Sequence, residues 1–215
     1  MLEYLINGGF MMIPLAACSV VAVAVIIDRV LAFRAAETDT HGLRRLVSDA
    51  LDDGRLDGAI DACREFRGPV AAVMYAGLDK LRRLRERRRP QGEIEVNVAK
   101  TMEDYAPHVL ETLEKRLNLL ALIASASPLL GMTGTVTGMI KSFERIVQTG
   151  GGDIAEAAAG GIAEALITTA SGLIIALPAL VAYNLLTKRI DRITLEIERS
   201  TSELIDFVSL GMEQE

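Results

Sequence analysis

The sequence predicts an all-α integral membrane protein with three transmembrane helices and long helices that extend into a cytoplasmic helical domain. Half of the 215 residues are hydrophobic, yet only 4% are aromatic and Trp is absent, which is unusual for a soluble core. Three stretches contain no Asp, Glu, Lys or Arg: residues 4–27, 117–140 and 165–187. Each exceeds the roughly 20 residues that cross about 30 Å of hydrocarbon as a helix.

The charges beside these stretches predict how the chain crosses the membrane. Lys and Arg cluster at one end of each span: Arg29 and Arg34, then Lys115 and Arg116, then Lys188, Arg189 and Arg192. Basic residues favour the cytoplasmic side, so the N-terminus is expected in the periplasm and the C-terminus in the cytoplasm. The opposite side has only Lys141 and Arg145, set against Glu144, Asp153 and Glu156.

These boundaries divide the chain into six predicted segments. They are an N-terminal segment with the first transmembrane helix (1–33), a cytoplasmic helical domain (34–115), a second transmembrane helix (116–142), a short periplasmic loop (143–156), a third transmembrane helix (157–187) and a C-terminal amphipathic cytoplasmic helix (188–215). The N-terminus lacks the basic region of a secretory signal, so the first span is expected to be retained. The alternative is a lipoprotein cleavage box at 14–18, which the missing basic start disfavours.

The cytoplasmic domain should contain several short helices followed by a long one. Apolar residues at helical spacing predict helices over 43–51, 56–66 and 70–88, separated by Gly54 and by Gly68-Pro69. A weaker helix is expected over 93–104, and one continuous helix over 105–140, with Pro107 in its first turn. The basic run 82–89 is interpreted as a solvated face, with contact to anionic lipid or nucleic acid as the alternative.

The third span carries polar side chains in an otherwise apolar helix. Glu164, Thr168 and Ser171 share one helix face, and Thr169 lies beside it. A carboxylate near the centre of a membrane costs roughly 2.5–3.5 kcal/mol on insertion scales, so Glu164 should face a bundle interior or a wet cavity. The alternatives are that Glu164 lies at the membrane edge, and that the hydroxyls serve helix packing.

The second span combines hydroxyl residues with residues that allow helices to approach closely. Thr135 and Thr137 are two of its hydroxyl residues, and a G-x-x-x-G pair permits close packing. Pro128 should kink the helix and free a carbonyl. Across both spans the predicted helix-packing residues are Gly131, Gly134, Gly138, Gly172, Pro128 and Pro178.

The two polar spans carry motifs that resemble those of the MotA/TolQ/ExbB proton-channel family. Residues 117–143 match its P-x-x-G-x-x-G-T-V-x-G-M/I-x-x-x-F pattern, and residues 161–184 match G-I-A-E-A-L-x-x-T-A-x-G-L-x-x-A-x-P-A-x-x-x-Y-N at nearly every fixed position. The first span is also similar, although it ends in Asp28-Arg29 where the family more usually has Glu-Arg. The resemblance covers all three spans and is loose in the cytoplasmic domain.

The resemblance implies a homopentameric ring in the bacterial inner membrane around two helices of an ExbD- or TolR-type partner, which carries a proton-accepting aspartate. By motif position, the pore-lining residues would be Thr135, Glu164 and Thr169, with Thr137, Thr168 and Ser171 as secondary candidates. Many relatives have an aromatic residue at position 137. Because the spans show one clear carboxylate and no Lys, Arg or His, the chain looks like half of a proton pathway, which also predicts a partner.

The leading functional hypothesis is a proton-channel subunit that uses the proton-motive force to energise TonB-dependent outer-membrane transport, in the manner of ExbB, with a TonB-like protein as a further partner. The alternatives are a TolQ-like role in envelope integrity and division, a gliding or secretion motor, and a passive membrane scaffold. An enzyme is not expected, because His41 and His108 fall outside the spans and no metal-ligand cluster is present. No cofactor or nucleic-acid partner is expected, and Cys18 and Cys63 should not form a disulfide.

Overall fold

A computed structural model describes residues 8–36, 39–148 and 154–210 of the chain. The described part is helical and forms two compact units, one from the residues up to Arg29 together with Arg116–Leu186, the other from Val30–Lys115 together with the chain from Thr187 onward. The helices are α1 (Met12–Ala36), α2 (Thr40–Asp52), α3 (Leu56–Glu65), α4 (Pro69–Glu86), α5 (Gln91–Glu114), α6 (Leu117–Gln148) and α7 (Ile154–Leu210).

The first unit, called the membrane unit below, contains helices that suit a bilayer. Three helices of the described chain are long and apolar enough to cross a membrane, with candidate spans Met12–Arg34, Leu117–Gln148 and Ala158–Ser209. Large side chains such as Val20, Leu129 and Ile174 point outward on these helices, as expected where lipid replaces water. The predicted all-α class with three apolar helices is therefore confirmed.

The second unit, called the helical unit below, has the core of a water-soluble protein. Leu43 and Val47 on α2, Leu78 on α4 and Met102 on α5 are at most 2% exposed, and Leu204 from the end of α7 packs among them. The apolar residues of the C-terminal segment therefore complete this core. Burial of these side chains is the dominant favourable contribution to folding in water.

Turns in the helical unit follow the glycines that the sequence indicated. Gly54 has φ +71° and lies just after the end of α2, a left-handed conformation that glycine adopts without a side-chain clash. Gly68 has φ +142° and precedes Pro69, which occupies the first turn of α4, where its missing N–H is not needed.

The structure corrects the predicted helix over 105–140. Its first part joins the weaker helix predicted over 93–104 in a single helix α5, so Pro107 lies inside that helix and not in its first turn. Residues Lys115 and Arg116 then form a turn that separates α5 from α6. Directly after this turn the Leu119 N–H donates to the Arg116 carbonyl at 3.3 Å, a three-residue spacing in place of the four-residue spacing of an α-helix.

Two other predicted boundaries also differ from the structure. Helix α6 continues to Gln148 and α7 begins at Ile154, so every described residue of the loop expected over 143–156 is helical, while residues 149–153 lie outside the described chain. The third span and the C-terminal helix, expected as separate segments, form the single 57-residue helix α7. Charged residues from Lys188 onward do not interrupt it, because Lys, Arg and Glu are good helix formers.

Candidate functional site in the membrane unit

Small residues bring α6 and α7 into close antiparallel contact along a surface that we call the seam. A Cβ added to Gly172 would lie 2.5 Å from the Ser127 carbonyl oxygen, and one added to Gly131 would lie 3.1 Å from the Thr169 Cα. Further along, a Cβ on Gly138 would lie 2.8 Å from the Gly161 carbonyl oxygen. Only residues without a bulky side chain permit this approach, which is how membrane helices commonly associate.

The Glu164 carboxylate lies at the seam and is paired with Lys141 of α6. The Lys141 Nζ donates to Glu164 Oε1 at 2.6 Å, and the Glu164 side chain is only 16% exposed. Both residues lie on helices long and apolar enough to cross a membrane, Lys141 directly after the uncharged run 117–140 and Glu164 directly before the uncharged run 165–187. Glu164 is ten residues into α7, about 15 Å from the start of that helix at 1.5 Å per residue.

The contact between Lys141 and Glu164 was not predicted from the sequence. The sequence grouped Lys141 with the charges outside the membrane, because an apolar run ends just before it. However, α6 continues for seven residues beyond Lys141, and the antiparallel seam places that part of α6 opposite the first turns of α7. Neither charge periodicity nor motif matching could indicate a contact that depends on how two helices align.

The turn before α1 covers the same carboxylate from another direction. Gly9 has φ +68°, and a Cβ at this position would overlap the Glu164 carboxylate. The Thr168 hydroxyl is fully buried and lies 2.9 Å from the Gly8 carbonyl oxygen and 2.7 Å from the Glu164 carbonyl oxygen, so these two acceptors share its single O–H. Thr168 therefore ties this turn to α7 beside Glu164.

The remaining predicted hydroxyls differ in what they bind. Thr169 donates across the seam to the Gly131 carbonyl at 3.0 Å, so it links the two helices. Thr135 donates to the Met132 carbonyl at 2.6 Å, and Ser171 to the Ile167 carbonyl at 2.8 Å, both within their own helix. Thr137 likewise donates to the Gly134 carbonyl of α6 at 3.0 Å. The role of all four in proton transfer stays a prediction.

Near Pro128, two polar groups of α6 differ from those of a regular helix: the Ser127 hydroxyl and the backbone nitrogen of Pro128. The Ser127 hydroxyl is fully buried and finds no hydrogen-bond partner among the described residues. Pro128 lies inside α6 without interrupting the helix, and its ring nitrogen cannot donate to the carbonyl four residues earlier. Pro178 is similarly accommodated inside α7. The seam thus contains unused polar groups close to its tightest contact.

Two titratable groups of the helical unit have shifted pKa values. The Cys63 thiol is buried in the helical unit, and loss of water raises its pKa to about 12. The hydrogen bond from Arg64 to the Tyr75 hydroxyl, at 3.3 Å, raises the pKa of Arg64. A cavity of about 390 Å³ in the helical unit is lined by Phe33, His41 and Arg192, among others, and by none of the predicted pathway residues. Among the described residues no cluster of His, Cys, Asp and Glu has the arrangement of a metal site.

Comparison with known proteins places this geometry in context. The model of the MotA/TolQ/ExbB proton channel family matches residues 66–199, which include the whole seam. The Tol-Pal system protein TolQ of Pseudomonas aeruginosa is 33% identical over 180 residues, which cover 83% of this chain and 77% of that protein. The biopolymer transport protein ExbB of Neisseria meningitidis serogroup A is 26% identical over 194 residues, covering 86% and 84%. The biopolymer transport protein exbB1 of Vibrio cholerae is 39% identical over 97 residues, covering 45% and 41%.

Proposed function

Since the chain belongs to the MotA/TolQ/ExbB proton channel family, we propose that it is a proton-conducting subunit of an inner-membrane motor that works with an ExbD-type partner. In this proposal the chain spans the membrane three times, with its N-terminus in the periplasm and its C-terminus in the cytoplasm. Several copies, five by the family resemblance, surround the partner helices. No cofactor is needed, because the transported species is the proton itself.

The observation that carries the proposal is the position of Glu164. Its side chain is 16% exposed, lies against the α6–α7 seam and is adjacent to the buried Thr168 hydroxyl. An ionisable side chain in a membrane helix that is turned away from lipid is the usual mark of an ion or proton pathway. A passive scaffold would need neither this carboxylate nor the hydroxyls around it.

The hydroxyls of Thr135 and Thr169 complete the proposed pathway. Hydroxyl groups both donate and accept hydrogen bonds, so they order water without placing a permanent charge in the membrane. Thr137, Thr168 and Ser171 are secondary members, and the single O–H of Thr168 is shared between the Gly8 and Glu164 carbonyls. Each proton that crosses 100 mV releases about 2.3 kcal/mol, so a mechanical step needs several protons.

Proton flux into liposomes tests the role of Glu164. The chain is purified together with its ExbD-type partner, and flux is followed with an enclosed pH-sensitive dye under an imposed potential. Glu164→Gln removes the titratable group at nearly constant size, so we expect flux to fall at least about a hundredfold, the lower end of the loss that a missing general acid–base group produces. Thr135→Val and Thr169→Val should also lose flux while the complex still assembles.

The control is Glu198→Gln, which alters an exposed glutamate on the same helix in the helical unit and should leave flux unchanged. Wild-type flux in Glu164→Gln would refute the proposed pathway. Intact assembly of Glu164→Ala with loss of flux would in turn exclude the passive scaffold. Mass measurement under mild extraction tests the ring, and a monomer would contradict it.

The two kinds of named relative suggest two alternative roles for the motor. An ExbB-type subunit would energise TonB-dependent outer-membrane transport, and a TolQ-type subunit would support envelope integrity. Over similarly long alignments the chain is 33% identical to the TolQ relative and 26% identical to the ExbB relative, which favours the TolQ-type role. Complementation separates them: the ExbB-type role predicts restored nutrient uptake in a strain without ExbB, and the TolQ-type role predicts restored detergent resistance in a strain without TolQ.

A further inference from the structure

We propose that Lys141 is a positioning residue that holds Glu164 in a closed state, and that this ion pair must open before Glu164 can take up a proton. The proposal rests on the proposed role of Glu164 in proton transfer. The pair of side chains is called the Lys141–Glu164 latch below. It adds to the proposed pathway a residue that the sequence placed outside the membrane.

The distance between Lys141 and Glu164, and the different exposures of their side chains, suit a contact that opens and closes. The 2.6 Å contact is a charge-assisted hydrogen bond, the stronger class of hydrogen bond in proteins. The Glu164 side chain is 16% exposed and the Lys141 side chain 44% exposed. The Glu164 carboxylate is therefore largely enclosed, whereas the Lys141 ammonium group has an exposed surface and a flexible stem on which it can turn away when the contact breaks.

The turn before α1 keeps the carboxylate on Lys141. Gly9 lies so close to Glu164 that a methyl group at this position would overlap the carboxylate. The hydrogen bond from Thr168 to Gly8 holds that turn on α7, and the Met12 N–H donates to the Gly9 carbonyl at 3.1 Å where α1 begins. Lys141 and the N-terminal turn thus enclose Glu164 from two sides.

The chemical step that opens the latch transfers one proton. A proton binds a Glu164 carboxylate oxygen and forms a neutral carboxylic acid, which no longer holds the ammonium group by charge. Lys141 keeps its three protons and turns toward water. When Glu164 releases its proton to the next acceptor, the carboxylate and the ammonium group pair again, so one proton has entered and one has left.

The test compares Lys141→Met with Lys141→Arg in the complex with the ExbD-type partner. Met keeps the length of the side chain without its charge, so Glu164 is no longer held. We expect proton flux to rise about tenfold, the change in rate expected from losing one charge-assisted hydrogen bond of ordinary strength. Arg retains the cation and should give wild-type flux. Lys188→Met, which removes an exposed lysine from the helical unit, is the matched control and should not alter flux.

Infrared difference spectroscopy supplies a second measurement that a purely structural lysine would not change. Subtracting the spectrum of Glu164→Gln isolates the absorption of the Glu164 side chain. In the protein with Lys141 it should be that of a carboxylate. In Lys141→Met the carboxylate bands should shift, because Glu164 loses the charge-assisted hydrogen bond from the ammonium group. If Lys141→Met does not assemble, Lys141→Gln keeps a donor without the charge, and the same two changes are expected.

The outcomes separate this proposal from the proposed function. Wild-type flux together with an unchanged carboxylate spectrum in Lys141→Met, or in Lys141→Gln if that variant is used, would overturn the latch. If Glu164→Gln abolishes flux at the same time, the pathway stands and only the latch fails. If Glu164→Gln leaves flux unchanged, the proposed pathway fails, whatever the lysine variants do.

Discussion

The two units of this chain are held together by opposite kinds of side chain. In the membrane unit, α6 and α7 meet through glycines and hydroxyl residues, while large apolar side chains such as Leu129 and Ile174 are exposed. In the helical unit the large apolar side chains are inside, and residues such as Leu78 and Met102 are fully buried. The same helix, α7, contributes to both arrangements.

The difference follows from the solvent that each unit meets. In water, burying apolar area is worth roughly 25 cal/mol per Å², so the helical unit gains by enclosing Leu, Ile and Met. Lipid tails are as apolar as Leu, so this gain vanishes between membrane helices, and close backbone contact takes its place. The seam is therefore formed by small and hydroxyl-bearing residues, and the Glu164 carboxylate is paired with Lys141 beside it.

The largest expected loss of stability follows from removing a large side chain from the core of the helical unit. Leu78→Ala removes a fully buried side chain and should cost about 2–5 kcal/mol of local stability. Hydrogen exchange of the α4 amides in the purified chain measures this free energy. Leu195→Ala, at a position that is 64% exposed on α7, should cost much less. Equal losses in the two variants would contradict the assignment of the core.

The next largest loss of stability should come from adding a methyl group in the membrane unit. There a larger side chain destabilises the contact between helices, whereas in the helical unit a smaller one destabilises the core. Gly172→Ala places a Cβ 2.5 Å from the Ser127 carbonyl oxygen, so α6 and α7 must separate. Overpacking of this kind costs about 1–3 kcal/mol. Unfolding in mixed detergent micelles measures the loss of stability.

The matched control for Gly172→Ala lies in the helical unit. At Gly92 on α5 nothing lies within 4 Å of an added Cβ, so Gly92→Ala should stabilise its helix by up to about 1 kcal/mol. The two substitutions are chemically identical and should have opposite signs. Destabilisation by Gly92→Ala, or tolerance of Gly172→Ala, would break the contrast between the units.

Much of the fold could be predicted from the sequence, because the signals are local. Uncharged runs give the three spans, and helical spacing with Gly54 and Gly68-Pro69 gives the first three helices of the helical unit to within a few residues. The family was identified from two motifs in the seam, and the matching family model confirms it. Glu164 was singled out because a carboxylate in an apolar run is chemically conspicuous.

What could not be predicted depends on how separate parts of the chain align. Lys141 and Glu164 are 23 positions apart in the sequence. Gly9 contacts the same glutamate from the distant N-terminal part of the membrane unit. The break at Lys115 and Arg116 was missed because both residues favour helix, and a change to three-residue hydrogen bonding leaves no mark in composition. Contacts of this kind need three-dimensional alignment, which periodicity does not contain.

The smallest expected effect on stability concerns Cys63, and it tests how well the helical unit excludes water. The fold raises the pKa of this thiol from its usual 9.0 to about 12 by burial alone. Between these values the unfolded chain releases the thiol proton and the folded chain keeps it, so stability falls as pH rises through this window. Near neutral pH both states are protonated, and no effect is expected.

Thiol labelling in a Cys18→Ala background makes this difference visible at pH 8. Each unit of pKa lowers the reactive thiolate fraction about tenfold, so Cys63 should react with maleimide about 1000-fold more slowly than an ordinary thiol. The reference is Ser48→Cys with Cys63→Ala, which places the thiol at an exposed position on α2 of the same unit. Similar rates at the two positions would mean that water reaches the core, and the contrast between a dry helical unit and a polar membrane seam would then fail.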